Sequence, residues 1–198
     1  MAETPSFMLP LGTTSPDFHL PDVMSGEMIS PSTFADKKAF LVMFISRHCP
    51  FVQHIKRELS KIGQDYKHKD IGIVAICSND TVAYPEDSPD SLKEMAQEEN
   101  FFFPVCFDES QQTAKEYHAS CTPDFFLFDK DRHLVYRGQL DNARPGNPLP
   151  VTGEDLRRAI EAVLQDTQVN KIQKPSLGCS IKWKEGNEPG TVNSSSRD

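Results

Sequence analysis

Two uninterrupted apolar, β-prone runs, Ala39–Ile45 and Ile71–Ile76, flank a segment in which Val52, Ile55, Leu59, Ile62 and Tyr66 recur at spacings of three and four. A run that is apolar at every position has no side suited to water, so each predicts a strand buried on both faces. The spacing between them predicts an amphipathic helix from about Pro50 to Lys67. Pro50 suits the first helical position, where its missing N–H is no loss. A strand, a helix and a second buried strand require a sheet covered by helices, and this limits the chain more than any other feature.

The remaining pattern extends the same plan. Ser91 is expected to cap a helix running to about Glu99, and Phe102–Phe107 resembles a third strand, with a short helix near Gln111–His118. Asp124–Phe128 and Leu134–Arg137 flank Asp129-Lys130-Asp131-Arg132, a turn sequence that predicts a hairpin. A last helix is expected from Thr152-Gly153-Glu154, with Leu156, Ile160, Val163 and Leu164 on one face. Strands alternating with helices and closing on a hairpin give an α/β fold, a mixed central sheet with helices on both faces. The N-terminal region is rich in Pro, Ser and Thr, with one short strand candidate at Asp17–Leu20. Residues 1–14 are read as an N-terminal arm, 15–183 as a single domain, and 184–198, rich in Gly, Ser, Asn and Glu, as a mobile C-terminal tail.

Composition narrows the function. A chain of 198 residues suits one well-cored domain. A net charge of −8 without a Lys/Arg block argues against nucleic acid and anionic membranes as partners. No apolar run approaches bilayer length, and the N-terminus lacks a basic region followed by an apolar one. Five irregularly spaced cysteines, an odd number, suggest free thiols in a reducing compartment, so a cytoplasmic location is expected. No paired Cys or His spacing suggests a metal, and no glycine-rich phosphate cradle suggests a nucleotide cofactor.

The chemistry is expected at Cys49. It stands where the first strand ends and the helix begins, and unpaired N–H groups at a helix N-terminus favour an anion. Arg47 and His48, just before it, add positive charge if they turn toward the sulfur, and His54 is a further tuning candidate. Most free cysteines are small buried hydrophobes, and Cys106, between Val105 and Phe107, is read that way. Cys77, at the end of the second strand, is read as structural before chemical. The acidic residues of Tyr84–Asp90 are read as a solvated loop.

Four segments carry a family resemblance: Arg47-His48-Cys49-Pro50-Phe51-Val52, Cys77-Ser78-Asn79-Asp80, Cys121-Thr122-Pro123-Asp124 with the apolar run after it, and Gly178-Cys179-Ser180-Ile181-Lys182-Trp183. Together with the element order they resemble the thioredoxin fold, and within it the redoxins of the alkyl hydroperoxide reductase/thiol-specific antioxidant type, in a peroxiredoxin-like subgroup. The resemblance spans about Ser15 to Trp183 and implies a thioredoxin-like three-layer architecture.

It also implies a thiol-dependent oxidoreductase that needs no cofactor. Cys49 matches the first, nucleophilic cysteine of the thioredoxin motif, while Val52 stands where the second cysteine belongs. Ser46, three residues before Cys49, matches the peroxiredoxin Thr/Ser, and the Cys49–Pro50 pair also occurs there, but Val42 replaces that motif's proline. Arg137 and Arg144 are candidates for its arginine. Pro123 resembles the cis-proline that faces the active cysteine, presenting the Thr122 backbone to a substrate strand. With His48 these complete the expected binding residues. The oxidant is either a peroxide or a disulfide. The resolving thiol is Cys121, Cys179 or an external reductant such as thioredoxin or glutathione, and a homodimer is compatible with the family. The competing reading is a redoxin-fold binding or redox-sensing module that has lost turnover along with the cysteine at position 52.

Overall fold

The computed structural model describes residues 3–189. Its elements in chain order are β1 (Glu3–Pro5), β2 (Leu20–Pro21), β3 (Met28–Ile29), β4 (Ala39–Phe44), α1 (Pro50–Tyr66), β5 (Ile71–Cys77), α2 (Pro89–Glu98), β6 (Val105–Phe107), α3 (Gln112–Glu116), β7 (Cys121–Thr122), β8 (Asp124–Phe128), β9 (Leu134–Gly138), α4 (Glu154–Leu164) and β10 (Leu177–Ser180). The central sheet runs β6-β5-β4-β8-β9. β4, β5 and β6 are parallel, and β8 and β9 are antiparallel to their neighbours.

Continuous apolar sequence becomes two-faced burial: every residue of β4 and β5 is buried. Leu41 and Met43 face a core shared with Val52, Ile55, Leu59 and Ile62 of α1, Leu92 and Met95 of α2, and Leu156 and Ile160 of α4. Phe40, Val42 and Phe44 face the opposite core, filled by Phe18, Phe126, Phe128 and Tyr117, with Ala114 from α3. Tyr117 meets Phe126 edge-on at 5.4 Å between ring centres, an arrangement aromatic quadrupoles favour. This is the three-layer, thioredoxin-like architecture. Among the described residues no helix is long and apolar enough to cross a membrane.

Several local expectations shift. The strand near Asp17–Leu20 is only Leu20–Pro21, paired with Met28–Ile29. The third strand begins at Val105 rather than Phe102, because Pro104 has no N–H for the ladder and Phe102 is exposed. Helix α2 is capped by Ser88, whose side chain accepts from the Ser91 N–H, and not by Ser91.

Strands near the two ends of the chain join β7 in a second sheet, β1-β10-β7. The N-terminal segment is thus strand-paired through Glu3↔Cys179 and Pro5↔Leu177. The C-terminal segment is held past residue 184 instead of being released there. The Lys184 N–H donates to Gln111 Oε1 at 2.8 Å and Asn187 Nδ2 donates to the Ser110 carbonyl at 3.1 Å. Residues 190–198 of the expected tail lie outside the described residues.

Candidate active site

Cys49 is the N-cap residue of α1 with extended backbone (φ −73°, ψ 119°), and Pro50 opens the helix. The Thr122–Pro123 peptide bond is cis. The Cys49 thiol donates to the Thr122 carbonyl oxygen at 3.1 Å, joining the helix start to the segment before Pro123.

That sulfur is covered. Cys49 has 0% exposure, because β10 crosses the site in an antiparallel ladder that sets Cys179 opposite Thr122 and Ser180 opposite Cys121. The Thr122 backbone, expected to receive a substrate strand, therefore already carries one from its own chain. The approach is close: a Cβ on Gly178 would sit 2.0 Å from the Thr122 carbonyl oxygen, so only glycine permits this pairing.

β10 brings the Cys179 side chain beside Cys49, close enough for each thiol to influence the other's ionisation. Burial first, and then the neighbouring Cys49 thiol, push the Cys179 pKa up to about 12, while Lys182 and the Phe51 backbone pull it down. No cap hydrogen bond reaches the Cys49 side chain from the helix start expected to serve it. Cys121 is near enough to both sulfurs to respond to their charge, but its own contact is with the Pro123 carbonyl at 3.7 Å, and burial drives its thiol pKa strongly upward. Burial also raises Cys77 well above the usual thiol range and Cys106 to about 12, in keeping with packing roles for both.

The charged neighbours turn away from the sulfur. Arg47 reaches across to α2, where Nη1 meets Glu94 Oε2 at 2.7 Å. His48 Nδ1 lies 2.5 Å from Asp87 Oδ2, and a carboxylate partner requires that nitrogen to carry a proton. The ring stacks on Tyr84 at 4.9 Å, and its Nε2 is buried without a partner. Ser46 Oγ donates to Asp87 Oδ2 at 3.1 Å. Arg137 is buried against Asp124 at 3.0 Å, and Arg144 donates to the Asp141 and Ala143 carbonyls. Neither arginine has a hydrogen bond to Cys49 among the described residues.

Asp87 is the functional candidate the sequence reading missed. Expected in a solvated loop, it instead has a side chain that is 0% exposed. No local signal marks it, since Pro85-Glu86-Asp87 is a short 3-10 turn of ordinary polar composition. Its importance comes entirely from distant groups that converge on it.

The AhpC/TSA family model matches residues 11–137. Two solved structures resemble the chain over nearly its full length. One is an uncharacterized conserved protein from Geobacillus kaustophilus, 48% identical with a TM-score of 0.91, covering 93% of this chain and 97% of that one. The other is a hypothetical protein from Sinorhizobium meliloti 1021, 47% identical with a TM-score of 0.91, covering 92% and 100%. The thioredoxin domain of a thiol-disulfide oxidoreductase from Bacteroides vulgatus shares the fold at 19% identity and a TM-score of 0.62, covering 79% of this chain and 99% of that one. No curated protein matches the chain.

Proposed function

The chain belongs to the AhpC/TSA family of thioredoxin-fold redoxins, and from that premise we propose a thiol-dependent oxidoreductase in which Cys49 takes the oxidant and Cys179 resolves it. The observation that carries this reading is the β10–β7 register, which opposes Cys179 to Thr122 while the Cys49 thiol bonds the same Thr122 carbonyl.

With a peroxide, the Cys49 thiolate attacks one oxygen. The O–O bond breaks, Cys49 becomes a sulfenic acid, and the other oxygen leaves as an alcohol or water after taking up a proton. The Cys179 sulfur then attacks the Cys49 sulfur and expels water, forming an intramolecular disulfide. With a small disulfide, Cys49 forms a mixed disulfide and releases one thiolate, and Cys179 releases the other. Two equivalents of an external thiol, of the thioredoxin or glutathione class, return both cysteines to thiols and leave as a disulfide.

The test is mass spectrometry of the full-length protein treated with hydrogen peroxide or hydroxyethyl disulfide. A linked Cys49–Cys179 peptide is expected. Cys49→Ser abolishes it, and Cys179→Ser halts at a modified Cys49. The complete burial of Cys49 favours a second reading, a binding or sensing module without turnover. An unmodified Cys49 under excess oxidant would leave that reading standing and remove the first.

A further inference from the structure

Asp87 accepts five hydrogen bonds while fully buried. Oδ1 takes the backbone N–H groups of Arg47 at 2.6 Å and His48 at 3.2 Å. Oδ2 takes Ser46 Oγ at 3.1 Å, His48 Nδ1 at 2.5 Å and Asn79 Nδ2 at 2.7 Å. Four of these five come from the three residues immediately before Cys49. A buried carboxylate survives only when its lone pairs are filled. Here the donors that fill them also fix the path of the backbone into Cys49.

The fifth donor leads to the other cysteine. Asn79 gives its amide N–H to Asp87, and its Oδ1 accepts from the Lys182 backbone N–H at 2.8 Å. Lys182 is three residues beyond Cys179. Its carbonyl is gripped from the same side, by the Asp80 N–H and by Gln111 Nε2, each at 2.8 Å. An amide group is planar, so Asn79 cannot serve both partners unless they keep a fixed separation. The side chains of Ser46, His48, Asp87 and Asn79 therefore form one buried chain of hydrogen bonds between the two cysteine-bearing segments.

We propose that Asp87 is a positioning residue for the thiol reaction, orienting Cys49 directly and Cys179 through Asn79. This rests on the Cys49–Cys179 pairing proposed above. Burying a charge to shape a turn is costly when an apolar residue would pack as well. A carboxylate is warranted here because one atom group must accept from both segments at once.

The two links make separable demands. Asp87→Asn keeps the shape but replaces one of the two acceptor oxygens with an NH2 group, so either the backbone N–H groups of Arg47 and His48 or the side chains of Ser46, His48 and Asn79 lose their acceptor, and each loss loosens the turn before Cys49. Asn79→Ala keeps the Asp87–turn contacts and cuts only the bond to Lys182. Two rates on the full chain distinguish them. One is iodoacetamide labelling of Cys49 in a Cys179→Ser background. The other is closure of the Cys49–Cys179 disulfide with hydrogen peroxide as oxidant.

Misplacing a reacting group by about an ångström costs on the order of a hundredfold in rate, so Asp87→Asn should slow disulfide closure by at least about tenfold. Asn79→Ala should slow closure by about tenfold more than it slows labelling. Unchanged rates in a folded Asp87→Asn protein, or equal slowing of the two by Asn79→Ala, would overturn the proposal. If Asp87→Asn does not fold, the Asn79→Ala ratio decides alone. Failure of the wild-type protein to form the disulfide would instead refute the underlying pairing, an outcome read in the unsubstituted chain rather than in the variants.

Discussion

Gly178 lies against Thr122 so closely that a Cβ built on it falls 2.0 Å from the Thr122 carbonyl oxygen and 2.6 Å from its carbonyl carbon. These are backbone atoms of a two-residue strand, and they have no flexible end to swing aside. The same Thr122 carbonyl accepts the Cys49 thiol. Gly178→Ala is therefore expected to push β10 off β7 and carry Cys179 away from Cys49. Overpacking of this kind costs about 1–3 kcal/mol. Urea unfolding should register that loss, and disulfide closure should slow while labelling of Cys49 accelerates as its cover lifts. Labelling no faster than wild type would mean that β10 is not the cover.

Arg137 and Asp124 form an ion pair in which neither side chain is exposed. The guanidinium also lies over the Phe126 ring, 4.3 Å from its centre. Burial pushes the Asp124 carboxyl up to about 6 from 3.8, against the pull of Arg137. With its pKa raised in the folded state, the folded protein binds a proton the unfolded chain releases. The stability from this group is full below pH 3.8 and is lost as pH rises through about 6. Arg137→Met removes the counter-charge, and breaking such a buried pair costs about 3–5 kcal/mol. The deficit should be largest near pH 7.5 and visibly smaller near pH 5, where Asp124 can take up a proton. Equal deficits at the two pH values would contradict this account.

What the sequence revealed and what it hid divide along local and distant interactions. β4 and β5 were legible because a strand buried on both faces must be apolar throughout. α1 was legible because one buried face imposes its spacing, and Cys49 because Pro50 marks the helix start beside it. The placement of Cys179 was not, since β10 is four residues long and owes its position to pairing with β1 at the other end of the chain and with β7 in its middle. Asp87 was hidden for the same reason. Its partners Ser46, Arg47 and His48 lie 39 to 41 residues away in sequence, and nothing in its own neighbourhood distinguishes it from a solvated acid. The charges beside Cys49 were visible, but Arg47 is drawn to Glu94 and His48 to Asp87. Proximity in sequence said nothing about where those side chains would point.

Ser88 and Ser91 present the same contrast in a form that can be measured. Ser88 precedes Pro89 at the start of α2, and its Oγ lies 3.3 Å from the Ser91 N–H and 3.0 Å from Ser91 Oγ. Only Ser88 has the N-cap position, with extended backbone (ψ 154°) and a side chain that satisfies a free helix-start donor. Replacing an N-cap serine with alanine costs about 0.5–2 kcal/mol, so Ser88→Ala should lower the unfolding free energy by about 1 kcal/mol. Ser91→Ala leaves that backbone N–H in its bond to Ser88 and should cost less. Ser88 also follows Asp87 directly, so loosening the cap should slow disulfide closure slightly, well short of the effect of Asp87→Asn. Urea titration of the two alanine variants side by side tests the assignment, and a larger loss from Ser91→Ala than from Ser88→Ala would reverse it.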